Sequence, residues 1–134
     1  MSINLKQLLI TKNEWFADQI MDGVRGSEYS FLTSAQSRLL AHMGGKPTNM
    51  AELARRLGIS RQAVHKTVVE LQRRGILELQ DDPERGNAKL VTYTVKGKQV
   101  NRAGAEIIDK VETQIALRIG ASDFQTLKAL LAKI

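Results

Sequence analysis

Apolar residues recur at helical spacing through Leu5, Leu8, Leu9, Phe16, Ile20 and Val24, predicting a first helix over residues 4–24 that Gly23 and Gly26 end. Thr33-Ser34-Ala35-Gln36 has the form of a capping box, in which the first hydroxyl and the fourth side chain each serve the other residue's N–H. A second helix follows from it, with Ala35, Leu39, Leu40 and Met43 facing inward. Gly44-Gly45-Lys46-Pro47 breaks that helix, and Thr48 or Asn49 can cap a third one running to Leu57. Gly58 closes it. Ser60 caps a fourth helix with Val64, Val68 and Leu71 inward, and Gly75 ends it.

The period then changes. Ile76-Leu77-Glu78-Leu79-Gln80 and Leu90-Val91-Thr92-Tyr93-Thr94 read as strands of a hairpin, and between them Pro83 and Gly86-Asn87 mark the expected tip. Helical spacing returns through Val100, Ala103, Ile107, Val111, Ile115 and Ile119, up to Gly120. Ser122 with Gln125 suggests a capping box for a last helix whose apolar face is Phe124, Leu127, Leu131 and Ile134. The expected class is mainly α with a small β-hairpin, in a single domain over residues 1–134. Only Gly58, Ile59 and Ser60 join the third and fourth helices, so the pair must turn sharply. Ala54 is small where the helices cross, Gly58 suits a left-handed turn, and Val64 plugs the space between them. That spacing predicts a helix-turn-helix, with the hairpin completing a core over residues 33–94.

Charge sharpens the picture. The 134 residues carry a net charge of +6, and residues 1–54 balance. The excess sits in residues 55–74, where Arg55, Arg56, Arg61, Lys66, Arg73 and Arg74 face Glu70 alone. An ordinary helical hairpin has no reason to gather cations this way, whereas a polyphosphate-binding face does. With Val64 buried, steps of ~100° per residue place Gln62, His65, Lys66, Val69 and Arg73 on the outer side of the fourth helix. There Gln62 suits adenine N6 and N7, Lys66 guanine or phosphate, and Val69 a thymine methyl. Ser60 and Arg61 at the helix start, and Arg55 and Arg56 on the preceding helix, suit phosphates. The plain alternative is a solvated face, or a module whose basic side meets an acidic protein or RNA.

Other chemistry is thinly supported. There is no Cys, which excludes disulfides and thiol-ligated zinc, and His42 and His65 are the sole imidazoles. No nucleophile, base and acid cluster in one segment, so an enzyme is not expected, and neither is a cofactor or a metal. Gly44-Gly45-Lys46-Pro47-Thr48 lacks the glycine spacing and preceding strand of a phosphate-binding loop. No apolar run approaches the ~18 residues of a membrane span, which leads to the expectation of a cytoplasmic protein.

The runs LTSAQSRLL, NMAELARRLGISRQAVHKTVVELQRRGILE, DDPERGNAKLVTYTVKG and SDFQTLKALLAKI together resemble the MarR family of dimeric winged-helix transcription regulators. Leu53-Ala54, Leu71 with Gly75, and Thr94 with Gly97 carry the resemblance most specifically. It implies a winged helix-turn-helix flanked by dimerisation helices, here residues 1–24 and 96–134, and a homodimer on a pseudo-palindromic operator in double-stranded DNA. The terminal helices carry more apolar surface than a small winged helix can cover, which agrees with pairing. The family usually shows an Asp and two Arg at its wing, whereas Glu84-Arg85-Gly86-Asn87 keeps one Arg. Arg85 is then the expected wing contact, with Lys89 behind it on the strand. The resemblance also implies a cleft for a small aromatic or anionic effector near Trp15, Phe16, Tyr29, Phe31 and His42, although aromatics at such spacing commonly fill cores.

Overall fold

The computed structural model describes residues 2–134, whose contacts form two compact units, residues 28–103 and residues 2–27 with 104–134. In the first of these, α2 (Ser34–Met43) starts at a complete capping box. Thr33 Oγ1 accepts from Gln36 N, and Gln36 Oε1 accepts from Thr33 N, both at 3.1 Å. The buried stripe of α2 is Gln36, Leu39, Leu40 and Met43, and Ala35 is exposed, contrary to the inward position expected of it. Turned back onto its cap, Gln36 occupies the i, i+3, i+4, i+7 row, and Ala35 lies ~100° away from it.

A strand the hydrophobic pattern did not reveal comes next, β1 (Thr48–Asn49). It is followed by α3 (Met50–Leu57) and α4 (Arg61–Arg73), then β2 (Leu77–Asp82) and β3 (Arg85–Tyr93). The three strands form one antiparallel sheet in the order β1-β3-β2. Thr48 pairs with Val91, and Leu77 with Tyr93. The hairpin turns at Pro83 and Glu84 rather than at Gly86-Asn87, because Pro83 presets its φ and Asp82 Oδ1 accepts from Glu84 N at 2.9 Å. Asp81 pairs with Lys89 and Asp82 with Arg85, so residues 86–88 have no counterpart on β2.

The core of this unit gathers Leu39, Met43, Leu53, Val64, Val68, Leu71, Ile76, Leu77 and Val91, each 2% exposed or less. The first turns of α5 (Val95–Ile119) belong to it as well. Thr94 supplies their cap: its hydroxyl accepts from Gly97 N at 2.9 Å and shares its proton between the Gly75 and Ile76 carbonyls at 2.5 and 3.1 Å. Gly97 packs so closely that a Cβ there would overlap the Ile76 carbonyl oxygen.

The other unit contains α1 (Leu5–Arg25), the rest of α5, and α6 (Ala121–Lys133). Gly23 lies inside α1 instead of ending it, and Gly26 is the terminus. A Cβ on Gly23 would stand 2.7 Å from Ile107 Cγ2, so the missing side chain lets α1 approach α5. The expected capping box at Ser122 does not form: α6 begins at Ala121, with Gly120 as its cap and no side-chain cap bond. Gly120 N still donates to Ala116 O at 2.9 Å while its carbonyl already accepts from Phe124 N at 3.0 Å. Its φ of +95° permits that direct passage between helices and leaves Ser122 within the first turn. Among the described residues of this unit, Val24, Val111 and Phe124 are the buried hydrophobics.

Candidate nucleic-acid interface

Local chemistry fixes the α3–turn–α4 element at every joint. Asn49 Oδ1 caps α3 through Glu52 N at 2.8 Å, and Gly58 ends the helix in the left-handed region at φ +66°. Ile59 N returns to Ala54 O at 3.2 Å, and Ser60 Oγ accepts from Ala63 N at 3.1 Å to start α4. Val64, Val68 and Leu71 are then wholly removed from solvent, each at 0% exposure. The helix cannot roll without exposing them. Its opposite row is therefore held outward: Arg61, Gln62, His65, Lys66 and Arg73 are all exposed, and Val69 is half-buried at the margin. Ser60 is exposed too, with its oxygen engaged in the cap.

The basic window is less uniform than its composition. Arg55 places Nε and Nη2 on the two carboxylate oxygens of Glu52 at 3.0 and 2.5 Å, and Arg56 Nε reaches Oε1 at 2.9 Å. Those hydrogen bonds hold the Glu52 carboxyl down to a pKa of about 2. Arg56 is tied a second time, Nη1 donating to the His42 carbonyl at 2.9 Å. Arg74 turns away from the outer row of α4, with its guanidinium carbon 4.3 Å from the centroid of the Phe31 ring. On the hairpin Lys89 is paired with Asp81, whose carboxyl pKa is lowered by that contact. Arg85, the first residue of β3, is exposed beside the Pro83–Glu84 turn. The sequence reading gave Arg55 and Arg56 to phosphates and set Lys89 behind Arg85, and it missed the two acidic partners. The signal was present for Glu52, which stands three and four residues before the arginines.

The five aromatic and imidazole residues considered for an effector fall in two different units. Trp15 and Phe16 meet edge to face, with centroids 6.1 Å apart, and line a cavity of about 680 Å³ with Ile115, Arg118, Phe124 and Leu127. Arg118 lies 5.7 Å from the Trp15 ring. Tyr29 and Phe31 form a second edge pair at 6.3 Å, and His42 Nδ1 lies 2.9 Å from the Arg38 carbonyl, a contact that places the proton on Nδ1. Among the described residues no cluster of His, Asp or Glu could hold a metal ion, and no helix is long and apolar enough to cross a membrane.

Residues 32–86 match the sequence model of the MarR family. An uncharacterized protein of Mycobacterium tuberculosis is 26% identical over 102 residues, which span 76% of this chain and 71% of that one. The apo form of wild-type MarR from E. coli superposes with a TM-score of 0.80 at 19% identity, covering 99% of this chain and 97% of MarR. A probable transcriptional regulator from Pseudomonas aeruginosa gives 0.69 at 23% identity, with 97% and 96% covered. NadR, solved in complex with 4-hydroxyphenylacetate, gives 0.79 at 18% identity, with 98% and 92% covered. Residues 32–86 thus match the MarR family's sequence pattern, and the chain as a whole has the winged-helix fold of the MarR structure it superposes on.

Proposed function

We propose that the protein is a sequence-specific DNA-binding transcription regulator, a homodimeric repressor acting on a near-palindromic operator. The observation that carries this reading is the division of α4. A fully sealed inner stripe fixes the helix, and Gln62, His65, Lys66 and Arg73 stand on the free side. A rigid helix with polar and cationic side chains of this length fits a major groove, where Gln62 can bond adenine and Lys66 guanine or phosphate. Arg61 and Arg55 then serve the backbone, and Arg85 serves the minor groove or its phosphates beside the wing.

The dimer is supported by Leu5, Leu8, Leu9, Leu117, Leu130 and Ile134, which are 41% to 89% exposed on helices that bury little of their own. On a near-palindromic operator the two recognition helices of such a dimer would sit ~34 Å apart, one turn of B-DNA. An aromatic acid is the effector class we propose, on the aromatic and cationic residues named above and by analogy with the 4-hydroxyphenylacetate held by NadR.

Selection from a random duplex pool tests the central claim. It should return a two-fold symmetric motif, and Gln62→Ala should cost ~1–3 kcal/mol on that motif while leaving random duplex binding unchanged. Recovery of no motif, with equal affinity for RNA or an acidic protein, would favour an interaction module instead.

A further inference from the structure

We infer that Glu52 is a specificity-determining residue: by holding the Arg55 fork it withholds a cation from phosphates and so lowers affinity for duplex of arbitrary sequence. The inference rests on the DNA-binding reading above. Glu52 occupies the third helical position of α3, from which a carboxylate commonly reaches back to the cap residue's N–H. Here its backbone N–H takes the Asn49 side chain, yet the carboxylate turns forward to Arg55 and Arg56.

Exposure and partners distinguish the two arginines. Arg56 is 38% exposed and tied to both Glu52 and the His42 carbonyl, whereas Arg55 is 73% exposed and, among the described residues, held by Glu52 alone. Glu52 itself is 29% exposed and receives three hydrogen bonds, so it is the fixed member and Arg55 the arm that can leave. The Nε and Nη2 fork that Arg55 offers the carboxylate is the one it would offer a phosphate. A phosphate must therefore displace Glu52 to gain it. On a preferred site the base contacts of α4 fix the register and hold a phosphate opposite Arg55, which favours the exchange. On an arbitrary duplex nothing fixes the register, and the internal carboxylate keeps the arginine. Glu52 thereby widens the gap between the two affinities.

The test measures binding of a fluorescent duplex of scrambled sequence across a salt series, using the full chain. Glu52→Gln should bind it about two- to fivefold tighter at low salt, the range that corresponds to an exposed ion pair. The slope of log affinity against log salt should steepen by up to about 0.9, the value of one extra phosphate contact. In an Arg55→Ala background, Glu52→Gln should give no gain. A gain that persists without Arg55 would reduce the effect to net charge and overturn the inference. So would a well-folded Glu52→Gln protein, checked by its melting curve, whose affinity and slope match the wild type. A wild type that binds no duplex at any salt would overturn the underlying DNA reading first, and this inference with it.

Discussion

Gly97→Ala tests how tightly the start of α5 is built against the sheet. The added methyl would overlap the Ile76 carbonyl oxygen and lie 3.3 Å from Tyr93 Cβ. The carbonyl cannot retreat freely, since it accepts from Thr94 N and Thr94 Oγ1, each at 3.1 Å. Yielding would weaken two hydrogen bonds at about 1 kcal/mol each. Overpacking adds about 2 kcal/mol, and the better helix propensity of Ala returns about 1 kcal/mol. The expected loss is about 3 kcal/mol, which for a chain of this size lowers Tm by roughly 10 °C. Gly104→Ala, seven residues along the same helix, is the matched control: among the described residues nothing beyond its chain neighbours and its own helix backbone lies within 4 Å of its would-be Cβ. It should gain about 0.5–1 kcal/mol and raise Tm by a few degrees. Calorimetry at one fixed protein concentration reads both, because melting of an associating protein depends on concentration. A Gly97→Ala variant melting within about a degree of the wild type would refute the close approach.

Three further outcomes are expected. Leu127→Asp, placing a carboxylate on the exposed apolar face of α6, should shift sedimentation from twice 14.9 kDa toward the single chain. Arg85→Ala should weaken duplex binding and flatten the salt slope without changing base preference, as a phosphate contact would, and an unchanged affinity would reduce the wing to a structural flap. Because the folded Glu52 carboxyl titrates near 2 instead of 4.5, its contribution to stability is complete above about pH 4.5 and is lost as pH falls toward 2. Asp81 acts in the same direction through Lys89. The acid limb of a pH–melting curve should be shallower for Glu52→Gln than for the wild type, and identical limbs would contradict the pairing.

What the sequence disclosed, and what it did not, follows from how far each interaction reaches along the chain. The Thr33–Gln36 box, the caps at Asn49 and Ser60, and the left-handed Gly58 all depend on residues three or four apart, so the residue types alone announce them. The stripe Val64, Val68, Leu71 is equally local. Strand β1 was invisible because two residues show no alternation, and its partners lie on β3. Gly86-Asn87 is a strong turn signal that lost to Pro83 with the Asp82 side chain, a competition the sequence poses without deciding. Ser122 could have capped α6, but the conformational freedom of Gly120 made the cap unnecessary. For the interface, charge counting located the window, yet it could not tell that Arg56 answers to the His42 carbonyl or that Arg74 lies over Phe31. Those contacts join residues that only the fold brings together.

The order of strands also bears on how the molecule reaches its native state. β2 and β3 are neighbours in sequence and can pair within microseconds once the Pro83–Glu84 turn forms. β1 must instead close a loop of some forty residues, from Thr48 to Val91, to gain only two pairs on the far side of β3. Loop closure on that scale is repaid late, after α3 and α4 have packed and shortened the span. β1 is therefore expected to dock after the barrier: weakening it, as in Thr48→Ala, should speed unfolding and leave the refolding rate nearly unchanged.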